Sequence, residues 1–446
     1  MTNPIGLCPQ SKIQNPKSKI GTPRPSYLAP CTLAALVVLS CLPARIAVKP
    51  GAGIVHGQVA PGFEEVAAEF ERNFTARGEY GAACCVYFRG EKVVDLWGGY
   101  QDMRTRAPWE ENTLVPVFSV TKGMAAMCLA LCHSRGWLDY DLPVSFYWPE
   151  FGSNGKADIT VRELLGHQAG LPCLDVSLRM KDLGDFDSLA VILARQKPLW
   201  EPGTRHGYHA ATLGLYMNEL LRRLDPAHRT LGRFFQDEIA GPLGIEFYIG
   251  LPREVPDARV ADLVMLNPVL VLLRMPWRVT SGFLCRRSLV YRSIMIPVDA
   301  GLDDARLRTV EQPSADGIGE VRAIARAYSE FATGGNVLGL SRCTLAELEG
   351  PPIEPGQGPL DAVLGDSAYY RLGFFKPGPE LAFGSSEAAF GVPGLGGSIG
   401  FADPDRQVGF AYAPIRMGYR LDSDARQQAL CAALYRCIER LERAPD

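Results

Sequence analysis

Alternating apolar stretches stand near both ends of this chain, with helical periodicity between them. That order restricts the fold more than any other feature. Near the N-terminal end, Cys84-Cys85-Val86-Tyr87-Phe88 and Val93-Val94-Asp95-Leu96-Trp97 flank the turn Arg89-Gly90-Glu91 and predict a β-hairpin ending at Gly98-Gly99. Near the other end, Gly400-Phe401-Ala402 and Val408-Gly409-Phe410-Ala411-Tyr412 flank Asp403-Pro404-Asp405-Arg406 and predict strand, turn, strand. Phe63, Val66, Phe70 and Phe74 predict an amphipathic helix before the first hairpin. A second is expected from about Val321 to Phe331, and Leu430, Leu434, Ile438 and Leu441 line a last one. From Asp139 to about Asp299 the pattern is mostly helical, broken by prolines. Isolated hairpins cannot hold themselves together in water. The arrangement that buries both is an antiparallel sheet built from the two chain ends, flanked by helices, with a mostly helical insertion: an α/β class, α+β sandwich architecture. The 446 residues, 47% of them hydrophobic, suffice for such a core.

Residues 1–55 differ from the rest and are expected to form a disordered or targeting extension, with the folded domain spanning 56–446 and its helical part roughly 125–300. Ser11-Lys12-Ile13-Gln14-Asn15-Pro16-Lys17 is followed by a repeat of its opening, Ser18-Lys19-Ile20, a pattern that builds no core. Lys12, Lys17, Lys19 and Arg24 precede an uncharged run from Tyr27 to Ala44, and no acidic residue occurs before Glu64. Two readings stay open. A signal peptide or anchor would place the protein outside the cytoplasm or on a membrane, and Val38-Leu39-Ser40-Cys41 resembles a lipoprotein cleavage site. An extension from a misplaced start codon would leave it cytoplasmic. Any membrane association runs through this segment, because Val264 to Leu273, though apolar, is too short to span a bilayer and contains Asn267 and Pro268.

The chemistry centres on Phe118-Ser119-Val120-Thr121-Lys122-Gly123-Met124. Ala125, Ala126 and Ala130 favour helix downstream, and Val120, Met124, Met127, Cys128 and Leu131 recur at helical spacing up to a C′ glycine at Gly136. Residues three apart share a helix face, so Ser119 and Lys122 can touch. A serine hydroxyl needs a base to become a nucleophile, and a lysine serves only when burial or nearby cations lower its pKa. The N–H groups at a helix start can hold a developing oxyanion.

Three further stretches carry candidate residues. In Gly166-His167-Gln168-Ala169-Gly170-Leu171-Pro172, His167 is a candidate base, but a structural histidine closing a helix is the stronger reading. In Glu201-Pro202-Gly203-Thr204-Arg205-His206-Gly207-Tyr208, a tyrosine stands at a helix start, where it either packs with its hydroxyl in water or, near a lysine, acts as a general base. In Val392-Pro393-Gly394-Leu395-Gly396-Gly397-Ser398-Ile399-Gly400, the glycines allow close backbone approach to a ligand. Its G-x-S-x-G match names Ser398 as a nucleophile, but a strand follows rather than a helix, and no histidine occurs after His228. Ser398 is therefore rejected in that role.

Taken together, Ser119-x-x-Lys122, Tyr208 and Val392-Pro393-Gly394 resemble the serine β-lactamase and penicillin-binding-protein superfamily, in its class C and family VIII carboxylesterase branch. The resemblance covers the chain from about His56 onward. It implies that Ser119 is the nucleophile, that Lys122 and Tyr208 share the proton work, and that the N–H groups of Ser119 and Leu395 form the oxyanion hole, with Val392 and Gly394 on the substrate edge. Which of Lys122 and Tyr208 is the base stays open. Two positions depart from the lactamase pattern. Ala210 stands where those enzymes have asparagine, and Val392 where they have lysine or histidine.

A serine hydrolase acting on short-chain esters through an acyl-enzyme is thus the expected function. A β-lactamase or DD-peptidase, and a non-hydrolytic binding module of the same fold, are the alternatives. The formal charge of −3 and the lack of a dense basic tract give no nucleic-acid surface. The twelve cysteines show no C-x-x-C spacing, and Cys128, Cys132 and His133 lack a fourth ligand nearby, so no metal or organic cofactor is implied and buried thiols are expected.

Overall fold

The computed structural model describes residues 55–265, 277–295, 305–420 and 424–443. The chain divides into two units, Met1–Lys49 and Pro50–Asp446, and every described strand and helix belongs to the second. The repeated Ser-Lys-Ile segment, the run from Tyr27 to Ala44 and most of Val264 to Leu273 lie outside the described residues.

The N-terminal strands are β1 (Val55–Val59), β2 (Gly81–Phe88) and β3 (Glu91–Asp102), with a short β4 (Ala107–Pro108) beside β3. A small separate sheet joins β5 (Val115–Pro116), β6 (Phe247–Ile249) and β7 (Gly317–Gly319) in the order β5-β7-β6. The C-terminal strands are β8 (Tyr370–Arg371), β9 (Phe374–Phe375), β10 (Phe390–Pro393), β11 (Ile399–Asp403) and β12 (Val408–Pro414). The main sheet runs β1-β3-β2-β12-β11-β10-β9-β8, with each pair antiparallel. The two chain ends meet where β2 pairs with β12, Val86 lying opposite Phe410. The sheet is therefore built as its alternating patterns require. The first hairpin is longer than expected, because β3 runs on through Gly98 and Gly99, still paired with Ala82 and Gly81, as far as Asp102.

The helices that brace this sheet or reach the site are α1 (Glu64–Thr75), α2 (Val120–Ser134), α3 (Val161–Leu165), α4 (Thr212–Leu224), α5 (Leu289–Ile294), α6 (Val321–Ala332) and α7 (Ala425–Arg443). α1 and α7 pack on each other, while α6 covers β2, β11 and β12. Leu430, Leu434 and Ile438 of α7 are fully buried, but Leu441, one turn further on, is 40% exposed. The expected helical middle contains short helices and long connections, and it contributes β6 to the small sheet.

α2 decides where the site lies. Every residue from Val120 to Cys132 is buried, Thr121 and Lys122 included, so the helix is buried all round rather than on one stripe. Each fully buried side chain such as Met124, Leu129 or Leu131 contributes roughly 1.5–3 kcal/mol, which pins the helix at the centre of the core. It ends as expected before Gly136, whose φ of +72° suits a glycine cap. Its neighbours are α4, the Leu231–Phe235 helix and β10, so it lies where the helical layer meets the sheet.

Candidate active site

Ser119 occupies the N-cap position of α2, and its side chain makes no capping hydrogen bond. The residue before it, Phe118, has a φ of +48°, a left-handed conformation that costs a bulky side chain on the order of 1–3 kcal/mol. Lys122 Nζ stands 3.2 Å from Ser119 Oγ. The same nitrogen donates to the carbonyls of Ala210 at 2.5 Å and Ser314 at 2.8 Å. Lys122 is fully buried, and burial alone pulls its pKa down to about 7.

Two other lysines are buried in the same way, and they provide a contrast. Lys156 donates to the carbonyls of Ser153, Ala194 and Gln196, and Lys376 to those of Leu348, Glu349 and Ala388. Three acceptors match the three donors of an ammonium group. Lys122 has only two carbonyls, and its third direction faces a hydroxyl.

Tyr208 completes the group. Its ring centroid lies 5.0 Å from Lys122 Nζ, and it is only 8% exposed. Burial pushes its phenol well up, and a hydrogen bond with the Ser119 side chain offsets only part of that. So the structure brings Ser119, Lys122 and Tyr208 together across a sequence gap that periodicity cannot bridge.

The loop carrying Tyr208 is pegged by residues whose part was not evident from sequence. The Ala362 N–H donates to the His206 carbonyl at 3.0 Å, and the neighbouring Asp361 carboxylate accepts from the N–H groups of Val363 and Leu364 and from the Tyr370 hydroxyl at 2.9 Å. The Tyr370 ring lies parallel to that of Tyr208, with centroids 6.3 Å apart. Among the described residues, His167 bonds to the His209 main chain rather than to Ser119. Its Nδ1 accepts the His209 N–H at 2.9 Å, His209 Nε2 accepts the Leu171 N–H at 3.0 Å, and His206 Nδ1 donates to the Gly166 carbonyl. Burial and their mutual proximity hold His167 well down, while burial pulls His206 to about 4 and His209 to about 3. These three rings are neutral pegs between two loops. The glycines and histidines of both stretches were the available signal, but no spacing tied one stretch to the other.

On the sheet side, the turn after β10 is stitched to the segment before Ser119. Ser398 Oγ donates to the Val117 carbonyl at 3.1 Å, and the Gly394 N–H donates to the Ser398 carbonyl at 2.7 Å. A β carbon at Gly394 would lie 2.3 Å from the Val117 oxygen, so only glycine permits this approach. β11 follows Ser398, which excludes the strand–turn–helix context of a nucleophile elbow. Leu395 is half-buried. Among the described residues, neither its N–H nor that of Ser119 donates a well-formed backbone hydrogen bond. Val392 is fully buried, close against Gly123 of α2, and exposes no surface. Arg406 pairs with Glu442 of α7. Arg426, 2% exposed, is held by Glu79 at 2.5 Å and Asp424 at 2.7 Å and donates to the Gly396 carbonyl at 3.3 Å.

An antiparallel sheet built from both chain ends, with Ser-x-x-Lys at the head of a buried helix beside β10, defines a hydrolase of the β-lactamase and transpeptidase fold. The Beta-lactamase family profile matches residues 67–434, and the chain belongs to that family. It is 34% identical over 374 residues to the Esterase/beta-lactamase LipL of Mycobacterium tuberculosis, covering 81% of this chain and 83% of LipL. Among solved structures, a family VIII carboxylesterase superposes with a TM-score of 0.76 at 36% identity, covering 86% of this chain and all (100%) of the other. A penicillin-binding protein homologue from Caulobacter crescentus superposes with a TM-score of 0.75 at 32% identity, with the same coverage of 86% and 100%.

Proposed function

We propose that the protein is a carboxylesterase that hydrolyses short-chain, uncharged esters through an acyl-enzyme on Ser119. The observation that carries this reading is the bonding of Lys122. An unprotonated amine has two N–H donors and one lone pair. The carbonyls of Ala210 and Ser314 take the donors, which leaves the lone pair for the Ser119 hydroxyl at 3.2 Å. A pKa of about 7 makes that form abundant at neutral pH.

In this reading Lys122 takes the Ser119 proton as Oγ bonds to the ester carbonyl carbon. The N–H groups of Ser119 and Leu395 hold the oxyanion. Collapse breaks the bond to the alcohol oxygen, which receives a proton relayed by Tyr208 from Lys122. Water then repeats the sequence in the acyl half and releases the acid. Tyr208, its phenol pushed well up, works as a proton relay rather than as a standing phenolate. Catalysis belongs to the domain from about residue 56 to 446, and deleting the residues before about Ala47 should leave it intact.

The substrate class follows from charge. Leaving a carboxylate desolvated without a partner costs several kcal/mol. Val392 supplies no donor, and Arg406 and Arg426 are each held by carboxylates of the protein. A β-lactamase activity is the second reading, favoured by the double name of the LipL relative.

The test is a comparison of kcat/KM for p-nitrophenyl butyrate and nitrocefin on one preparation, with fluorophosphonate labelling mapped by mass spectrometry. The ester is expected to turn over far faster, with the label on Ser119. Ser119→Ala should lower turnover by roughly 10⁴-fold or more while the fold persists. Comparable turnover of nitrocefin would overturn the substrate assignment, and a label elsewhere would overturn the nucleophile.

A further inference from the structure

We infer that Ser293 is a positioning residue for Lys122, holding the Tyr208–Ala211 segment so that the Ala210 backbone carbonyl stays aimed at the lysine. The inference rests on the acyl-enzyme reading above.

Ser293 lies on α5, is fully buried, and touches three successive peptide units of the Tyr208 loop. Its hydroxyl donates to the Tyr208 carbonyl at 2.6 Å and accepts the Ala210 N–H at 3.1 Å. Its own carbonyl accepts the Ala211 N–H at 3.1 Å. The last contact sets the geometry. The peptide unit joining Ala210 to Ala211 is planar and trans, so its N–H and C=O point in opposite directions. With the N–H held on Ser293, the Ala210 oxygen is aimed at Lys122 Nζ.

The resembled lactamases carry an asparagine at position 210, and this chain has a methyl there. The acceptor that position 210 offers Lys122 is its main-chain carbonyl, and a main-chain acceptor is only as well aimed as its peptide plane. The Ser293 hydroxyl fixes the two preceding peptide units, through the Tyr208 carbonyl and the Ala210 N–H, and so holds the segment from which that plane extends. Without it, the Ala210 N–H keeps only its contact with the Tyr208 carbonyl at 2.9 Å, a bond across a three-residue turn. The loop would relax toward that tighter turn, and both the Tyr208 ring and the Ala210 carbonyl would tilt away from Lys122.

The test uses the full chain with Ser293→Ala, Ser293→Cys and Ser288→Ala. Ser288 caps the same helix, accepting the Tyr291 N–H at 3.0 Å and donating to the Gly282 carbonyl at 2.5 Å, but it makes no hydrogen bond to the Tyr208 loop. The readouts are the rate at which a fluorophosphonate labels Ser119, kcat and KM for p-nitrophenyl butyrate, and Tm. Ser293→Ala should slow labelling and kcat by about ten- to a hundredfold, as displacements near 1 Å do, with KM little changed. Ser293→Cys, isosteric and a weak donor, should recover part of the loss and decides the matter if the alanine variant does not fold. Ser288→Ala should lower Tm and leave the kinetics alone. Wild-type labelling rates in the Ser293 variants, or an equal kinetic loss in Ser288→Ala, would overturn the inference. Failure of the broader reading would show separately, as wild-type protein that takes no label on Ser119.

Discussion

Ala210 and Lys122 meet through the main chain: the Ala210 carbonyl oxygen lies 2.5 Å from Lys122 Nζ. A side-chain acceptor can be read from a sequence, and a carbonyl cannot, because every residue has one. The contact sets how the lysine shares its three directions, and with that the acid–base behaviour expected of the site.

Lys122 must be unprotonated to accept the Ser119 proton, and burial pulls its pKa down to about 7. Below that pH the lysine is an ammonium with no lone pair, so kcat/KM for an uncharged ester should rise with pH and level off above about 7. Lys122→Arg should be inactive throughout, since a guanidinium does not deprotonate in this range. An acid limb near 4, where burial puts His206, would reassign the base.

Tyr208→Phe removes only the hydroxyl and keeps the ring against Tyr370. Turnover should fall by about 10²–10⁴-fold, the range of a lost proton relay, with stability changed by about 1 kcal/mol. Stopped-flow acylation with p-nitrophenyl butyrate and a thermal melt check both parts. A variant with near wild-type acylation would remove Tyr208 from the mechanism.

Ser398→Ala breaks the hydroxyl contact to the Val117 carbonyl, which keeps the Val120 N–H at 3.3 Å. The cost should be about 0.5–1.5 kcal/mol of stability, with fluorophosphonate still labelling Ser119. Loss of labelling with an unchanged melt would show that Ser398 acts in the chemistry.

The parts of the fold that are legible in the sequence are those set by local pattern. The hairpin at Cys84 to Trp97, the strand–turn–strand around Asp403 and the α2 helix each carry their own periodicity, and each is present. Ser119 and Lys122 are legible as a pair for the same reason, being three residues apart. The partners that complete the site are not. Ser314 joins Lys122 across 192 residues, and Ser293 joins Tyr208 across 85, each through one ordinary serine. Nothing in the composition or spacing around these serines distinguishes them from any other. The full burial of α2 is also hidden in the sequence, because a stripe of apolar residues and a wholly buried helix look alike once small residues such as Gly123, Ala125 and Ala126 are scored as neutral.

The pairing of β2 with β12 has a consequence for how the protein is made. On the ribosome, β1, β2 and β3 emerge first, and one edge of β2 stays unpaired until the chain has been synthesised as far as Pro414. Through that interval Val86 and its neighbours are paired with β3 alone, and the nascent chain carries an open edge of the kind that chaperones cover. Synthesis of the whole helical middle falls within this window. Slow translation there would lengthen the exposure, and the floor on which α2 rests closes only with the last strand.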